Sequence, residues 1–259
     1  MRTSFIGLLG LTLSTMLAVP ALAQDAGPEH TEPDGPTYDT APPSAFELSA
    51  NVALVTDYRF RGVSLSDGDI AIQGGFDVKH SSGFYVGAWA SSLEDSPRYG
   101  HTELDLYGGW SGEVASGITV DAGLLYYVYP NGDKAVGGPS DYFEPYASVS
   151  GQLGPVSATA GIAYAWGGQD ALGGDDNTYL YLDLGSGIPN TPVSISAHAG
   201  YTDGVLSFDS DSTSWDFSLG ASYAITGNLS AGVTYTTVEG PVVDDLTNDG
   251  FFATLSATF

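Results

Sequence analysis

The chain has 259 residues, with 6 Lys and Arg against 31 Asp and Glu, for a formal charge of −25. That balance excludes a nucleic-acid-binding surface, which needs clustered bases to displace counterions from phosphate. Cysteine is absent, which removes disulfides, thiolate metal sites and Cys nucleophiles. With 35 glycines, 12% aromatic residues and mean hydropathy near zero, the chain fits neither an acidic disordered polymer nor a bundle of membrane helices.

Residues 1–23 read as a secretory signal peptide. Arg2 supplies a positive start, Phe5 to Val19 is mostly apolar, and Ala21-Leu22-Ala23 is a small-x-small cleavage site. A membrane anchor is the alternative, but Thr12, Ser14 and Thr15 break an apolar run already shorter than the ~20 residues a helical span needs. Residues 24–45 hold Pro28, Pro33, Pro36, Pro42 and Pro43 among acids. Such a stretch buries too little apolar surface to offset its ordering entropy, and predicts a flexible periplasmic tail.

From Phe46 onward the pattern has period two. In 46–60 the even positions Phe46, Leu48, Ala50, Val52, Leu54, Thr56, Tyr58 and Phe60 face away from Glu47, Ser49, Asn51, Ala53, Val55, Asp57 and Arg59. The same split recurs at 117–129 and 155–166. Nine further segments near 69–80, 84–93, 101–111, 141–153, 177–185, 192–202, 213–225, 228–238 and 250–259 bring the strands to twelve, an even number, as closed antiparallel membrane barrels of bacteria require. The polar face carries Gly, Ser, Thr, Ala and Tyr with scattered acids, which suits a crowded lumen better than the open surface of a soluble sandwich.

Aromatic residues gather near segment ends. Tyr58, Phe60, Trp166, Tyr201, Trp215 and Phe251 mark one rim; Phe46, Trp110, Tyr223 and Phe259 mark the other. Short links such as Ser81-Ser82, Gly154-Pro155 and 226–228 alternate with long acidic ones at 61–68, 94–100, 130–140, 167–176, 203–212 and 239–249. Short periplasmic turns and long outer loops follow the barrel rule and place both termini in the periplasm. A two-residue turn at Ser81-Ser82 points Tyr85 and Trp89 toward lipid, and a turn of another length reverses that face. The terminal run 251–259, ending in Phe259, has the form of a final barrel strand read by the outer-membrane assembly machinery. The fold expected is therefore all-β: a closed twelve-stranded antiparallel transmembrane barrel over 46–259, in the outer membrane of a Gram-negative bacterium.

Asp57-Tyr58-Arg59-Phe60-Arg61-Gly62-Val63-Ser64, Ser66-Asp67-Gly68-Asp69 and Ala71-Ile72-Gln73-Gly74-Gly75-Phe76-Asp77 resemble the opening strands of the TorF family of porins, also known as the Gcw_chp conserved proteins. Glu103 to Gly112 resembles a second block of that family. Ile70 stands where members often carry Pro. The resemblance is close over roughly the first 60 to 70 barrel residues and general beyond them, and it implies an outer-membrane barrel with a channel function and no defined substrate.

Residues expected to line the lumen are Asp57, Arg59, Arg61, Asp69, Gln73, Asp77, Lys79, Glu103, Asp105, Tyr107, Asp121, Glu144, Tyr146, Tyr179, Tyr181, Asp183, His198 and Asp216. Acids outnumber bases, so the bore attracts cations, and its bulky groups narrow it. With the first strands paired about 64–66, Arg61 would lie near Asp69 and Arg59 near Ala71 and Gln73. Two readings follow: a charge contrast that orients solutes, or a clasp in which Arg neutralises Asp57, Asp69 or Glu103. Asp67, Asp69, Asp175, Asp176, Asp244 and Asp245 are oxygen donors in outer loops. They could hold Ca2+ or Mg2+ against lipopolysaccharide phosphates, although none completes an EF-hand and solvated loop charge is the favoured explanation.

His101 and His198 lack any GxSxG or comparable setting, so the chain is expected not to be an enzyme. The function expected is passive diffusion of small hydrophilic solutes through a narrow porin. A plugged structural or adhesive barrel and, more remotely, a membrane hydrolase are the alternatives. The sequence leaves oligomeric state open.

Overall fold

A computed structural model describes residues 44–207, 212–239 and 246–259. The expected signal peptide, most of the expected tail, and Asp209, Asp211, Asp244 and Asp245 lie outside the described residues. The alternation of the first segment becomes β1 (Phe46–Val55), after which the chain leaves the wall to form a small hairpin of β2 (Arg59–Phe60) and β3 (Val63–Ser64). The wall continues with β4 (Ala71–His80), β5 (Phe84–Ser96), β6 (Gly100–Ala115), β7 (Ile118–Val128) and β8 (Tyr142–Leu153). It is completed by β9 (Val156–Ala165), β10 (Asn177–Gly187), β11 (Val193–Gly204), β12 (Thr213–Ala224), β13 (Leu229–Glu239) and β14 (Gly250–Thr258). Every neighbouring wall pair is antiparallel, and β1 pairs with both β4 and β14, so twelve strands close into one barrel.

Closure answers the problem set by an apolar exterior. In hydrocarbon an unpaired N–H or C=O costs several kcal/mol, and only a sheet without edges pairs them all. The side chains on the outside are Leu48, Val52, Leu54, Ile72, Phe76, Leu106, Leu124, Ile162, Leu180, Leu182, Leu219, Val233 and Leu255, all exposed. Their in-strand neighbours Ala53, Val55, Gln73, Glu103, Asp105, Leu125, Tyr127, Tyr179 and Tyr181 are buried. The polar groups are inside and the apolar ones outside, the inverse of a soluble protein and the expected arrangement of a membrane barrel. Phe46, Trp166, Trp215, Tyr223, Phe251 and Phe259 are exposed near the strand ends.

The links between wall strands differ in length. Turns at 81–83, 116–117, 154–155, 188–192 and 225–228 lie at one end, with Phe46 and Phe259; longer links at 56–70, 129–141 and 166–176 lie at the other. The long acidic loop expected at 94–100 is not among them: β5 runs on to Ser96 and β6 starts at Gly100, paired with it, so only 97–99 joins the two. The long-link end is filled. A short 3-10 helix, Asp170–Leu172, buries Ala171 and Leu172 against Leu125, Tyr127, Tyr129 and Tyr142, with Phe60, Leu93 and Tyr99 packed around them.

Two expectations about the first strands are overturned. The first strand does not run to Phe60, because Arg61 and Gly62, both at positive φ (49° and 80°), reverse the chain within two residues. Two such residues make the primed turn that matches hairpin twist. The β2–β3 hairpin folds into the barrel, so Tyr58 is fully buried and Phe60 packs on the interior cluster; neither belongs to a lipid-facing rim. Likewise, the link between β4 and β5 has three residues, not two. Gly83, at φ 96°, donates its N–H to the His80 carbonyl and sets the register Val78↔Val86 and Lys79↔Tyr85. That register turns Phe84 and Val86 outward. Tyr85 and Trp89 face inward, where Trp89 meets Tyr58.

The sidedness can be measured. Leu182→Arg, on the outer face near the middle of β10, should cost roughly 2–4 kcal/mol of folding free energy in lipid bilayers. Thr159→Arg, on the inner face and in register with Asp183, should cost clearly less. Urea titration of tryptophan fluorescence reads both, and an equal loss from the two changes would contradict the assignment.

Candidate functional site: an inward hairpin in an acidic lumen

Interior positions on β5 to β10 carry the large side chains. The shape is set by glycines opposite tyrosines. Tyr107 lies over Gly87, Tyr146 over Gly123 and Tyr181 over Gly161, each pair being direct cross-strand partners. A Cβ on any of these glycines would run into the facing ring. The rings therefore lie along the wall instead of crossing the bore, the same device by which an aromatic covers a strand glycine. The opposite wall, β12 to β14, presents Ser218, Gly220, Ser222, Ser230, Gly232, Thr234, Thr254 and Ser256 inward. Phe252, buried opposite Thr234, is the large apolar side chain on this wall.

Into the long-link half of this bore reaches the hairpin. At its base, Asp57 accepts from Arg59 Nε at 2.5 Å and from Ser64 Oγ at 2.6 Å, and Tyr58 N–H donates to Ser66 Oγ at 2.8 Å. Arg59 Nη1 also donates to the carbonyls of Gly62 and Asn248. At the tip, Gly62 abuts Val238 and Asp216, where a side chain would collide. The hairpin therefore crosses from β1 to the β12–β13 wall.

Arg61 is its anchor. Nη2 donates to both oxygens of Glu144 at 2.8 Å, with the guanidinium 4.2 Å from the Tyr179 ring centre and 4.7 Å from that of Phe60. Tyr127, stacked on Tyr142, donates to the same Glu144 at 3.1 Å. The expected partners of the two arginines are thus corrected. Arg59 pairs with Asp57, one of the acids the clasp reading named, whereas Arg61 pairs with Glu144 and neither lies beside Asp69. Asp69 is exposed in the link before β4 and is not brought to the lumen cluster. The reason is the turn: pairing about Arg61-Gly62 aims the arginine across the bore, whereas pairing about 64–66 would have kept it on the near wall.

A second cluster adjoins the first. His198 Nδ1 lies 2.6 Å from Asp183 and Nε2 2.9 Å from Asp216, with the Tyr179 hydroxyl 2.8 Å from Nε2. Both ring nitrogens are engaged by carboxylates, which leaves neither free to activate a nucleophile. Nearer the short-turn end, Tyr85 donates to Asp121 at 2.7 Å and meets the Tyr146 hydroxyl, while Tyr107 donates to Asp77 at 2.6 Å. Lys79 acts on Asp121 from the same region, and Gln73 donates to Ser91 at 3.3 Å. Glu103 and Asp105 are buried on β6 below the hairpin.

Among the loop acids, Asp67, Asp69, Asp175 and Asp176 are exposed, and Asp176 accepts from Tyr164 at 3.0 Å. Among the described residues no group of three or more histidine and acidic side chains is arranged to hold a metal ion. Lys134 and Asp141 form an ion pair at 2.7 Å in the 129–141 link, which holds the lysine proton more tightly than usual.

If Arg61 and Glu144 act as one buried pair, Arg61→Met should destabilise the barrel by about 3 kcal/mol, because it strands the carboxylate. The double change Arg61→Met with Glu144→Gln should recover much of that loss. A double-mutant cycle by urea unfolding checks this, and simple additivity would contradict it.

Comparison with solved structures places the fold beside porins. The NanC porin is 11% identical, with TM-score 0.55, over 82% of this chain and 99% of that one. The KdgM porin is 9% identical, with TM-score 0.55, over 82% and 98%. The KdgM porin in complex with disordered oligogalacturonate is 8% identical at the same TM-score. No curated protein matches in sequence. A family model described as a bacterial protein of unknown function, Gcw_chp, matches residues 39–259, and the chain belongs to that family.

Proposed function

We propose that the chain is a porin-type channel of the outer membrane that passes small hydrophilic solutes and ions by diffusion, with a modest preference for cations. The observation that carries the reading is the inverted barrel itself, whose inner wall holds Asp77, Glu103, Asp105, Asp121, Glu144, Asp183 and Asp216 against Arg61, Lys79 and His198. Fixed charge of one sign along a low-dielectric bore concentrates counterions and repels co-ions. The inward hairpin sets the narrowest point. It leaves any passage along the serine and glycine wall, and of the residues named from the sequence those that stay partly exposed, such as Asp77, Tyr107 and Asp121, are proposed to bound it, whereas Asp69 does not.

Engagement of His198 by two carboxylates supports a channel over a hydrolase. The short-turn end, with both chain ends of the barrel, is assigned to the periplasm, and Phe259 to recognition by the assembly machinery. The exposed loop acids are assigned to the cell exterior, where Ca2+ or Mg2+ could bridge them to lipopolysaccharide. One observation favours a second reading, a barrel sealed at rest. Tyr58, Glu103, Asp105, Glu144 and Tyr179 are at most 2% exposed, so the hairpin half is closed to bulk solvent while the hairpin stays in place.

Planar-bilayer recording of the refolded full chain separates the two. The channel reading predicts small unitary steps and a cation-selective reversal potential in a KCl gradient. Asp77→Asn with Asp121→Asn should move that potential toward zero, and replacing 58–65 with a short Gly-Ser link should raise conductance several-fold. A folded barrel silent both with and without its hairpin would remove the channel. A clear anion preference would remove the charge argument.

A further inference from the structure

Glu103 and Asp105 present an unsolved charge problem. They lie two residues apart on β6, so their side chains share the inner face with Cα atoms roughly 6.6 Å apart. Both are buried, at 1% and 0% exposure. Neither oxygen of Asp105 has a hydrogen-bond partner, nor does Oε2 of Glu103. A carboxylate buried in that state costs several kcal/mol unless it takes up a proton or something of opposite charge is supplied.

The protein does not supply it. Among the described residues, Arg59 is held by Asp57, Arg61 by Glu144, Lys134 by Asp141 and His198 by Asp183 and Asp216. Arg98 donates to the Ala171 carbonyl, and Lys79 acts on Asp121. The charges that do act on Asp105 are those of Glu103 and Glu144, both negative.

A further group points at the same place. The Tyr58 hydroxyl, at the base of the inward hairpin, is fully buried, makes no hydrogen bond of ordinary geometry and lies within reach of Glu103, its ring packed on Trp89, the cross-strand partner of Asp105. Four orphaned oxygens from two separate parts of the chain are therefore buried together beneath the hairpin.

We propose that Glu103, Asp105 and the Tyr58 hydroxyl bind a calcium ion that ties the base of the hairpin to β6. Two carboxylates match a divalent charge, and all the donors are oxygens. The set is irregular and short of a full shell, which suits calcium with completing waters better than magnesium, which demands octahedral geometry. Only two carboxylates take part, consistent with the absence of a three-acid cage among the described residues. The site is separate from the exposed loop acids and does not depend on whether the barrel conducts.

The test is calcium titration of the EDTA-stripped full chain, refolded in detergent, by calorimetry and by thermal unfolding. The expected result is one tight site per chain and an unfolding midpoint that rises and saturates with calcium. Asp105→Asn and Glu103→Gln should each weaken that site roughly tenfold or more, and Asp175→Asn with Asp176→Asn should leave it intact. Asp105→Asn should also unfold at a higher temperature than wild type in EDTA, because it removes the unpaired charge. Should a variant fail to fold, the wild-type titration still decides. No calcium response in wild type overturns the proposal, as does a response that survives both changes on β6. Stability in EDTA that rises on acidification while calcium has no effect would mean that a proton holds the pair, and would overturn it equally.

Discussion

The structure depends on the pairing of β1 with β14. Without it the sheet has two edges whose backbone groups find no partner in hydrocarbon, and an apolar exterior becomes untenable. With it, every wall strand has two neighbours and the period-two pattern sorts side chains cleanly between lipid and lumen. Everything polar that the chain carries in its walls is then committed to the interior. The barrel holds an excess of acids in a confined space, and much of its internal architecture consists of ways to accommodate them.

Three kinds of accommodation are visible. Tyrosine hydroxyls donate to Asp77, Asp121, Glu144 and Asp216. Several of the few bases are placed against a carboxylate, Arg61 on Glu144 and His198 between Asp183 and Asp216. The hairpin delivers Arg61 to its position, so the element that narrows the lumen also neutralises part of it. Narrowing and charge balance are coupled through one residue at a turn that needs positive φ at two successive positions.

How much of this could be read from the sequence varies with the range of the interactions. The twelve wall strands were legible because alternation is local: Ile118, Val120, Ala122 and Leu124 declare their face within one strand. The inward tyrosines and acids of β6 to β12 followed from the same parity. The hairpin was not legible in that way, since Asp57-Tyr58-Arg59-Phe60 continues the alternation of β1 and a strand that goes on looks like a strand that folds in. The Arg61-Gly62 pair was the available signal for a turn. The facing of Tyr85 turned on one residue, Gly83, because a one-residue change in a turn inverts a whole strand. The pairing of Arg61 with Glu144 joins positions 83 apart and depends on barrel curvature, which no local pattern carries.

The sorting of side chains is the central claim, and the absence of cysteine makes it directly measurable. Single cysteines placed in turn at positions 178 to 186 of β10, in the chain reconstituted into lipid vesicles, can be labelled with a lipid-soluble or a water-soluble thiol reagent. The account predicts strict alternation, with 180, 182 and 184 labelled from the lipid and shielded from water, and 181, 183 and 185 protected from the lipid-soluble reagent. Labelling without a period of two, or with the two sets exchanged, would contradict it.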